Sequence, residues 1–199
     1  MKRSSLGIAA NIAGVVIIGF FSYSAWSDNA TTFIIVRHAE RLDASANTNL
    51  SEVGLARAEA LINAASEAGV GAIYSTNFCR TLQTVQPLAS HLSLSINVQH
   101  LSASTDLNDC DPAISVAMND LPASVNNEMS LVEHVLDKHN GKTVLIVGHS
   151  NTVPALVAAL GGAAFDPVVI DHDEFNHLFI VRKNKRSGPP TLIKTKYGA

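Results

Sequence analysis

Charge is scarce in this chain. Of its 199 residues only 16% are Asp, Glu, Lys or Arg, and the formal net charge is −3. That balance lacks the cationic surface of a nucleic-acid binder, so any anion site must be local, built from a few placed cations. Cysteine is scarce as well, with Cys79 and Cys110 the whole complement. Two unpaired, partly buried thiols are expected, with a bridge between them as the alternative in an oxidising compartment. Internal repeats and low-complexity tracts are absent, which excludes repeat architectures. What is plentiful is apolar: 47% of the residues are hydrophobic. This excludes disorder and suits one domain with a sizeable core.

The first thirty residues read differently from the rest. Lys2 and Arg3 precede Leu6–Phe21, an apolar run interrupted by Asn11, and no further charge occurs before Asp28. A basic start followed by an apolar stretch reads as a secretory signal, with cleavage after Ser24 suggested by the small residues Ser22 and Ser24. Left uncut, Ser4 to Ser27 is long enough to cross a bilayer. The expected division is therefore residues 1–27 as signal peptide or N-terminal membrane anchor, with attachment through residues 6–26, and residues 28–199 as the functional domain. Either outcome places that domain outside the cytoplasm, in a bacterium the periplasm.

Two short β-branched runs end alike. Thr31–Val36 leads into Arg37-His38, and Lys142–Val147 leads into Gly148-His149. Such runs are typical of strands buried on both faces of a parallel sheet, whose ligands bind beyond the strands' carboxyl ends. Between them the sequence predicts a helix opened by Ser51 and stopped by Gly69, a strand at Ala72–Ser75, a helix from about Phe78 to His91 kinked or stopped by Pro87, and a strand at Ile96–His100. Residues 101–127 read as loop with a short helix. A helix at Glu128–His139 precedes the second run, and a helix to Leu160 follows it. Leu178–Arg182 and Thr191–Lys196 read as a hairpin at one edge. Alternating strands and helices imply an α/β domain, a three-layer αβα arrangement around a mostly parallel sheet.

The residues at the strand ends carry phosphate chemistry. A neutral imidazole is a good nucleophile toward phosphorus, and a guanidinium clamps phosphate oxygens with a planar fork. Arg37 and His38 supply one of each. Arg80, one turn into the second helix, can fold back over the strand ends and add a second fork. His149 would project into the same mouth, with Gly148 letting the backbone pass close to a ligand. Ser150 or Asn151 caps the following helix.

Four blocks resemble the histidine phosphatase superfamily, also called phosphoglycerate mutase-like. Arg37-His38-Ala39-Glu40 is similar to its Arg-His-Gly signature. Leu50-Ser51-Glu52-Val53-Gly54-Leu55-Ala56-Arg57-Ala58 is similar to its Leu-Thr/Ser-x-x-Gly helix start. Tyr74-Ser75-Thr76 through Arg80-Thr81-x-Gln83-Thr84 and Val147-Gly148-His149-Ser150-Asn151 follow in the family's order. The resemblance implies the phosphoglycerate mutase-like fold and a phosphatase that forms a phosphohistidine on His38 without metal or other cofactor. It implies that Arg37, Arg80 and His149 bind the equatorial oxygens, and that a small phosphorylated compound or a phosphoprotein is the substrate. Arg41 and Asn151 join them as candidate substrate-binding residues, Arg41 alternatively pairing with Glu40 at the rim.

The family's proton donor is where the sequence departs. Ser150 stands where one branch has an acid after the late histidine, and no glutamate follows the third strand. Asp106 is the nearest carboxylate and the expected acid, with a turn or helix cap as its alternative role. Without an acid, substrates with good leaving groups are favoured. A non-catalytic phospho-ligand binding module and a phosphoryl mutase are the rival readings. His91, His100, His134 and His139 read as ordinary surface or capping residues. Asp171–His177 resembles a metal cluster superficially, but alternation before an edge strand would point its side chains both ways, so no metal site is expected.

Overall fold

A computed structural model of the protein describes residues 29–101, 106–185 and 188–198. The expected signal or anchor at 1–27 lies outside them. Among the described residues no helix is long and apolar enough to cross a membrane.

Seven strands form one sheet: β1 (Ala30–Arg37), β2 (Val70–Thr76), β3 (Ile96–Gln99), β4 (Met118–Asp120), β5 (Thr143–Gly148), β6 (His177–Asn184) and β7 (Thr191–Lys196). Their order is β4-β3-β2-β5-β1-β6-β7. The first five in that order run parallel, and β6 and β7 close one edge as the expected antiparallel hairpin. Helices α1 (Glu52–Ala65) and α2 (Cys79–Leu92) cover one face, and α3 (Glu128–Lys138) and α4 (Thr152–Gly161) cover the other. The mostly parallel three-layer αβα expectation holds.

Alternation along β1 shows why the strand reads as continuously apolar. Phe33 and Ile35 pack toward α3 and α4, while Ile34 and Val36 pack toward α1 and α2. With a core on each side, both pleat faces must be apolar. The same holds in β5, where Val144 and Ile146 join one core and Leu145 and Val147 the other.

Register then sets the site. β1 and β5 are neighbours with Val36 beside Val147 and Arg37 beside Gly148. The chain leaves both strands at the same level, so His38 and His149 emerge side by side. The His38 N–H donates to the Gly148 carbonyl at 2.9 Å and holds the two exits together. β2, on the other side of β5, ends at Thr76 and turns into α2.

Three expectations are corrected. Residues 101–127 contain a turn of 3-10 helix at Leu107–Asp109 and the strand β4. All three β4 residues are exposed, so no apolar alternation marks them. α2 runs through Pro87 to Leu92, because its buried face, with Leu82, Val85, Leu88 and Ala89, outweighs the one hydrogen bond that proline cannot donate. Cys79 and Cys110 are bonded to each other, 31 residues apart in sequence. In the chain-entropy picture a loop of that length contributes about 3–4 kcal/mol. The bond fastens the segment around Cys110 to the first turn of α2, one residue from Arg80.

Candidate active site

A cleft of about 430 Å³ opens at the carboxyl ends of β1, β2 and β5. Arg37, His38, Arg41, Arg80, His149, Asn151 and His172 line it, with Phe78, Leu101, Ser150 and Thr152. The structure thus brings together six of the seven residues singled out in the sequence.

His38 is buried at the floor. Its Nδ1 lies 2.7 Å from the carbonyl of Ala39. A carbonyl only accepts, so Nδ1 carries the proton and Nε2 keeps its lone pair. Burial, with His149, Arg80 and Arg37 nearby, lowers its pKa to about 3 against the favourable carbonyl contact, so the ring is neutral at physiological pH. The Ala39 loop is itself pinned. Its N–H donates to Thr84 Oγ1 at 2.9 Å, and that hydroxyl donates to the Arg80 carbonyl. Gly54 at the start of α1 lies so close beneath that a Cβ there would sit 2.3 Å from the Glu40 carbonyl oxygen. The glycine of the second block is a close-approach requirement, and Thr84 of the third is a brace for the first.

His149 faces His38 edge-on, with ring centroids 5.4 Å apart. Arg80 Nη2 lies 3.4 Å from its Nδ1, which must therefore accept, so Nε2 carries the proton and donates to Thr76 Oγ1 at 3.0 Å. Thr76 continues the chain to Thr81, whose hydroxyl reaches the Phe78 carbonyl. Burial first, then Arg80 and Arg37, lowers the His149 pKa to about 3. Gly148 is required by α4 rather than by a ligand: a Cβ would meet Thr152 Oγ1 at 2.6 Å. That hydroxyl accepts from the His149 N–H at 2.8 Å. Neither Ser150 nor Asn151 supplies the expected cap. Asn151 occupies the cap position but its side chain makes no capping hydrogen bond, which leaves it on the cleft wall.

The two arginines are held differently. Arg37 Nη1 donates to the carbonyls of Asp171 and Glu174 at 2.9 and 2.8 Å, and Nη2 to that of His172 at 2.9 Å. Its Cζ lies 4.0 Å from the centroid of the Phe175 ring. Arg80 donates to the Ala46 carbonyl and lies over Phe78. Burial, with Arg41 and Arg37 nearby, lowers its pKa to about 10. The Nε atoms of Arg37 and Arg80 are both buried with no partner among the described residues. Two arginines that line one cleft, each with a buried donor left unpaired, suit an anion site.

Glu40 does not pair with Arg41. Its carboxylate takes a fork from Arg57 at 2.7–3.0 Å, and burial opposes while Arg57 holds the group below the usual carboxylate range. Arg41 is left at the cleft, 3.3 Å from His172 Nε2. Asp106 is not brought to the cleft. Its carboxylate accepts from the N–H and the side-chain amide of Asn108, the capping role. No carboxylate lines the cleft among the described residues.

Sequence reasoning missed the wall made by residues 171–175. Its one signal is a polar, histidine-containing run next to an aromatic, just before the strand that neighbours β1. No group of His, Cys, Asp and Glu suited to a metal occurs among the described residues.

A mostly parallel αβα sheet that ends in two facing histidines among arginines suits phosphoryl transfer. The profile described as the histidine phosphatase superfamily, branch 1, matches residues 33–113. A lipopolysaccharide core heptose(II)-phosphate phosphatase of Salmonella schwarzengrund (strain CVM19633) is 26% identical over 86% of this chain and 89% of its own. Two solved structures share the fold, each at 18% identity. A mycobacterial glucosyl-3-phosphoglycerate phosphatase has a TM-score of 0.59, covering 85% of this chain and 100% of that one. A protein described as the phosphohistidine phosphatase SixA of Nakamurella multipartitia has a TM-score of 0.54, covering 85% and 98%. Over residues 33–113 the chain is similar to the histidine phosphatase superfamily, and it is a hydrolase of the phosphatase class.

Proposed function

We propose that this protein hydrolyses a phosphomonoester by transferring the phosphoryl group to His38 Nε2 and then to water. The observation that carries the reading is the wiring of His38: Nδ1–H is committed to the Ala39 carbonyl, so Nε2 is a lone-pair nitrogen on a cleft floor ringed by cations. Arg37, Arg80 and His149 hold the three non-bridging oxygens in this reading, which their shared place on the cleft supports. The guanidiniums and the imidazole line one cleft, and a phosphate dianion suits that concentration of positive charge. Phosphoryl transfer is mostly positioning and charge stabilisation, and the covalent step splits one barrier in two. A bound dianion also reverses the electrostatics of His149, which then takes a proton at Nδ1 and becomes a third cationic donor. The charge required resides on side chains, so activity is expected to persist in chelator.

A phosphorylated sugar is the favoured substrate class, supported by the name of the 26%-identical relatives and by the open cleft. An extracytoplasmic location, with residues 1–27 as signal or anchor, is supported by the basic-then-apolar start and by the Cys79–Cys110 bond. The rival reading, a binding module without turnover, draws on the lack of a lining carboxylate.

The test assays residues 26–199 on p-nitrophenyl phosphate with chelator present. Turnover is expected, and His38→Ala should lower it by at least about 10³-fold, the scale of removing a catalytic nucleophile. Activity surviving His38→Ala rejects the mechanism. Vanadate binding with no turnover on several phosphoesters selects the binding module.

A further inference from the structure

We propose that His172 is the proton donor for the leaving group, taking the place of the missing carboxylate. The inference rests on the phosphohistidine reading above and extends it to the second half of the reaction.

The argument starts from direction. His38 is buried at the floor, so in-line attack by its Nε2 drives the leaving oxygen outward, toward the mouth. Whatever protonates that oxygen must stand at the rim. Of the described cleft residues Leu101, Asn151 and His172 are exposed, and Arg41, against His172, is half-buried like Ser150 and Thr152, whose hydroxyls are too weakly acidic to serve. Of these, a leucine and an amide cannot give up a proton, and a guanidinium does not do so in water. An imidazole is the one rim group that can both deliver a proton and take one back. At the floor, His149 is committed to the phosphate side, its Nε2–H bound into the Thr76 and Thr81 hydroxyl chain.

His172 is also placed, not merely present. Its carbonyl accepts from Arg37 Nη2 at 2.9 Å, so its backbone is tied to an arginine positioned for phosphate. Its Nε2 lies 3.3 Å from Arg41 Nη2. An arginine only donates, so in the ligand-free protein Nε2 holds a lone pair and Nδ1 the proton. Arg41 lies against the ring and Arg37 against its backbone carbonyl, and Asp171 and Asp173 flank it in sequence. A phosphate dianion held at the floor below supplies the counter-charge for an imidazolium.

The step balances. His38 Nε2 donates its pair to phosphorus, the P–O bond to the leaving group breaks with its pair going to oxygen, and the His172 imidazolium delivers a proton there. The alcohol departs. A water then attacks phosphorus, neutral His172 accepts its proton, and the P–N bond breaks with its pair returning to His38. Alcohol and inorganic phosphate are the products.

The test compares kcat/KM, which reports the first transfer, for an alkyl phosphate (glycerol 2-phosphate) and for p-nitrophenyl phosphate, in wild type and His172→Gln. An alkoxide needs a proton and a nitrophenolate does not. The variant should therefore lose about 100-fold or more on the alkyl ester, the scale of general-acid catalysis, while staying close to wild type on the aryl ester. Vanadate affinity of the variant, measured by its thermal shift, should match wild type and so exclude misfolding. An equal fall on both esters, or none on either, overturns the assignment and leaves the phosphohistidine reading intact. A wild type that turns over neither ester overturns both.

Discussion

Floor and rim of the cleft are built on opposite plans. At the floor most donors other than the Arg37 and Arg80 Nε–H groups are accounted for: His38 Nδ1 by a carbonyl, His149 by a hydroxyl chain, Arg37 by three carbonyls. Braces behind them come from Gly54, Thr84 and Thr152. At the rim, the Arg41 and His172 side chains hydrogen-bond only to one another among the described residues, and Asn151 leaves its helix cap unmade. Preorganised dipoles lower a barrier because they need not reorganise as charge develops. The floor therefore serves the group every substrate shares, the phosphate, while the rim meets the part that differs, the leaving group.

The largest effect expected from breaking this division is at Arg37. Arg37→Lys keeps the charge but loses the planar fork, so the lysine cannot serve three carbonyls and a phosphate together. A fall in kcat/KM of about 10²–10³-fold is expected, the scale of removing one oxyanion donor. Thermal stability should fall as well, because a single ammonium cannot reach all three of the 171–174 carbonyls. A variant with wild-type kinetics would show that the carbonyl cage is structural alone.

Next comes the pH dependence of the floor. Burial lowers both His38 and His149 to about 3. The unfolded chain protonates these rings near 6.5 while the folded one does not. Their contribution is thus present above about 6.5 and is lost as pH falls toward 3, by about 1.4 kcal/mol per pH unit for each ring. Glu40, held low by Arg57, loses stability in the same direction at lower pH. A His38→Ala, His149→Ala double variant should therefore flatten the melting temperature between pH 6.5 and 5 and keep the Glu40 fall below. Vanadate should flatten the wild-type curve too, since a bound anion favours the protonated rings. A double variant as steep as wild type would mean that the histidines are not buried neutral groups.

The same division explains what is legible in the sequence. Arg37, His38 and His149 are readable because each follows an apolar run whose burial on both faces fixes where the strand ends, and adjacent register does the rest. The Arg37 cage is not readable, because it is made of carbonyl oxygens from Asp171, His172 and Glu174, which any residue could supply. β4 is missed because three exposed residues show no alternation. The cysteine pairing depends on how residues 106–112 return to α2, a tertiary fact with no local signature. Asp106 misleads because a carboxylate at the right place in the order of elements is here spent on its own turn.

The smallest expected effect separates two uses of asparagine. Three helices open with a residue that could cap them. Ser51 accepts from the Gly54 N–H, and Asn127 forms a capping box with Ser130, whereas the Asn151 side chain caps nothing. Replacing a working cap by alanine costs about 1 kcal/mol. Ser51→Ala and Asn127→Ala should therefore lower the unfolding free energy by about that amount. Asn151→Ala should leave it unchanged, because Thr152 already takes the His149 N–H. Its cost should fall instead on substrate, a rise in KM of about fivefold with kcat unaltered, the pattern of lost uniform binding worth about 1 kcal/mol. Denaturant titration of the three variants beside steady-state kinetics decides the matter. If Asn151→Ala destabilises as much as Ser51→Ala while its KM stays put, Asn151 is a cap after all, and the rim begins one residue further from the helix.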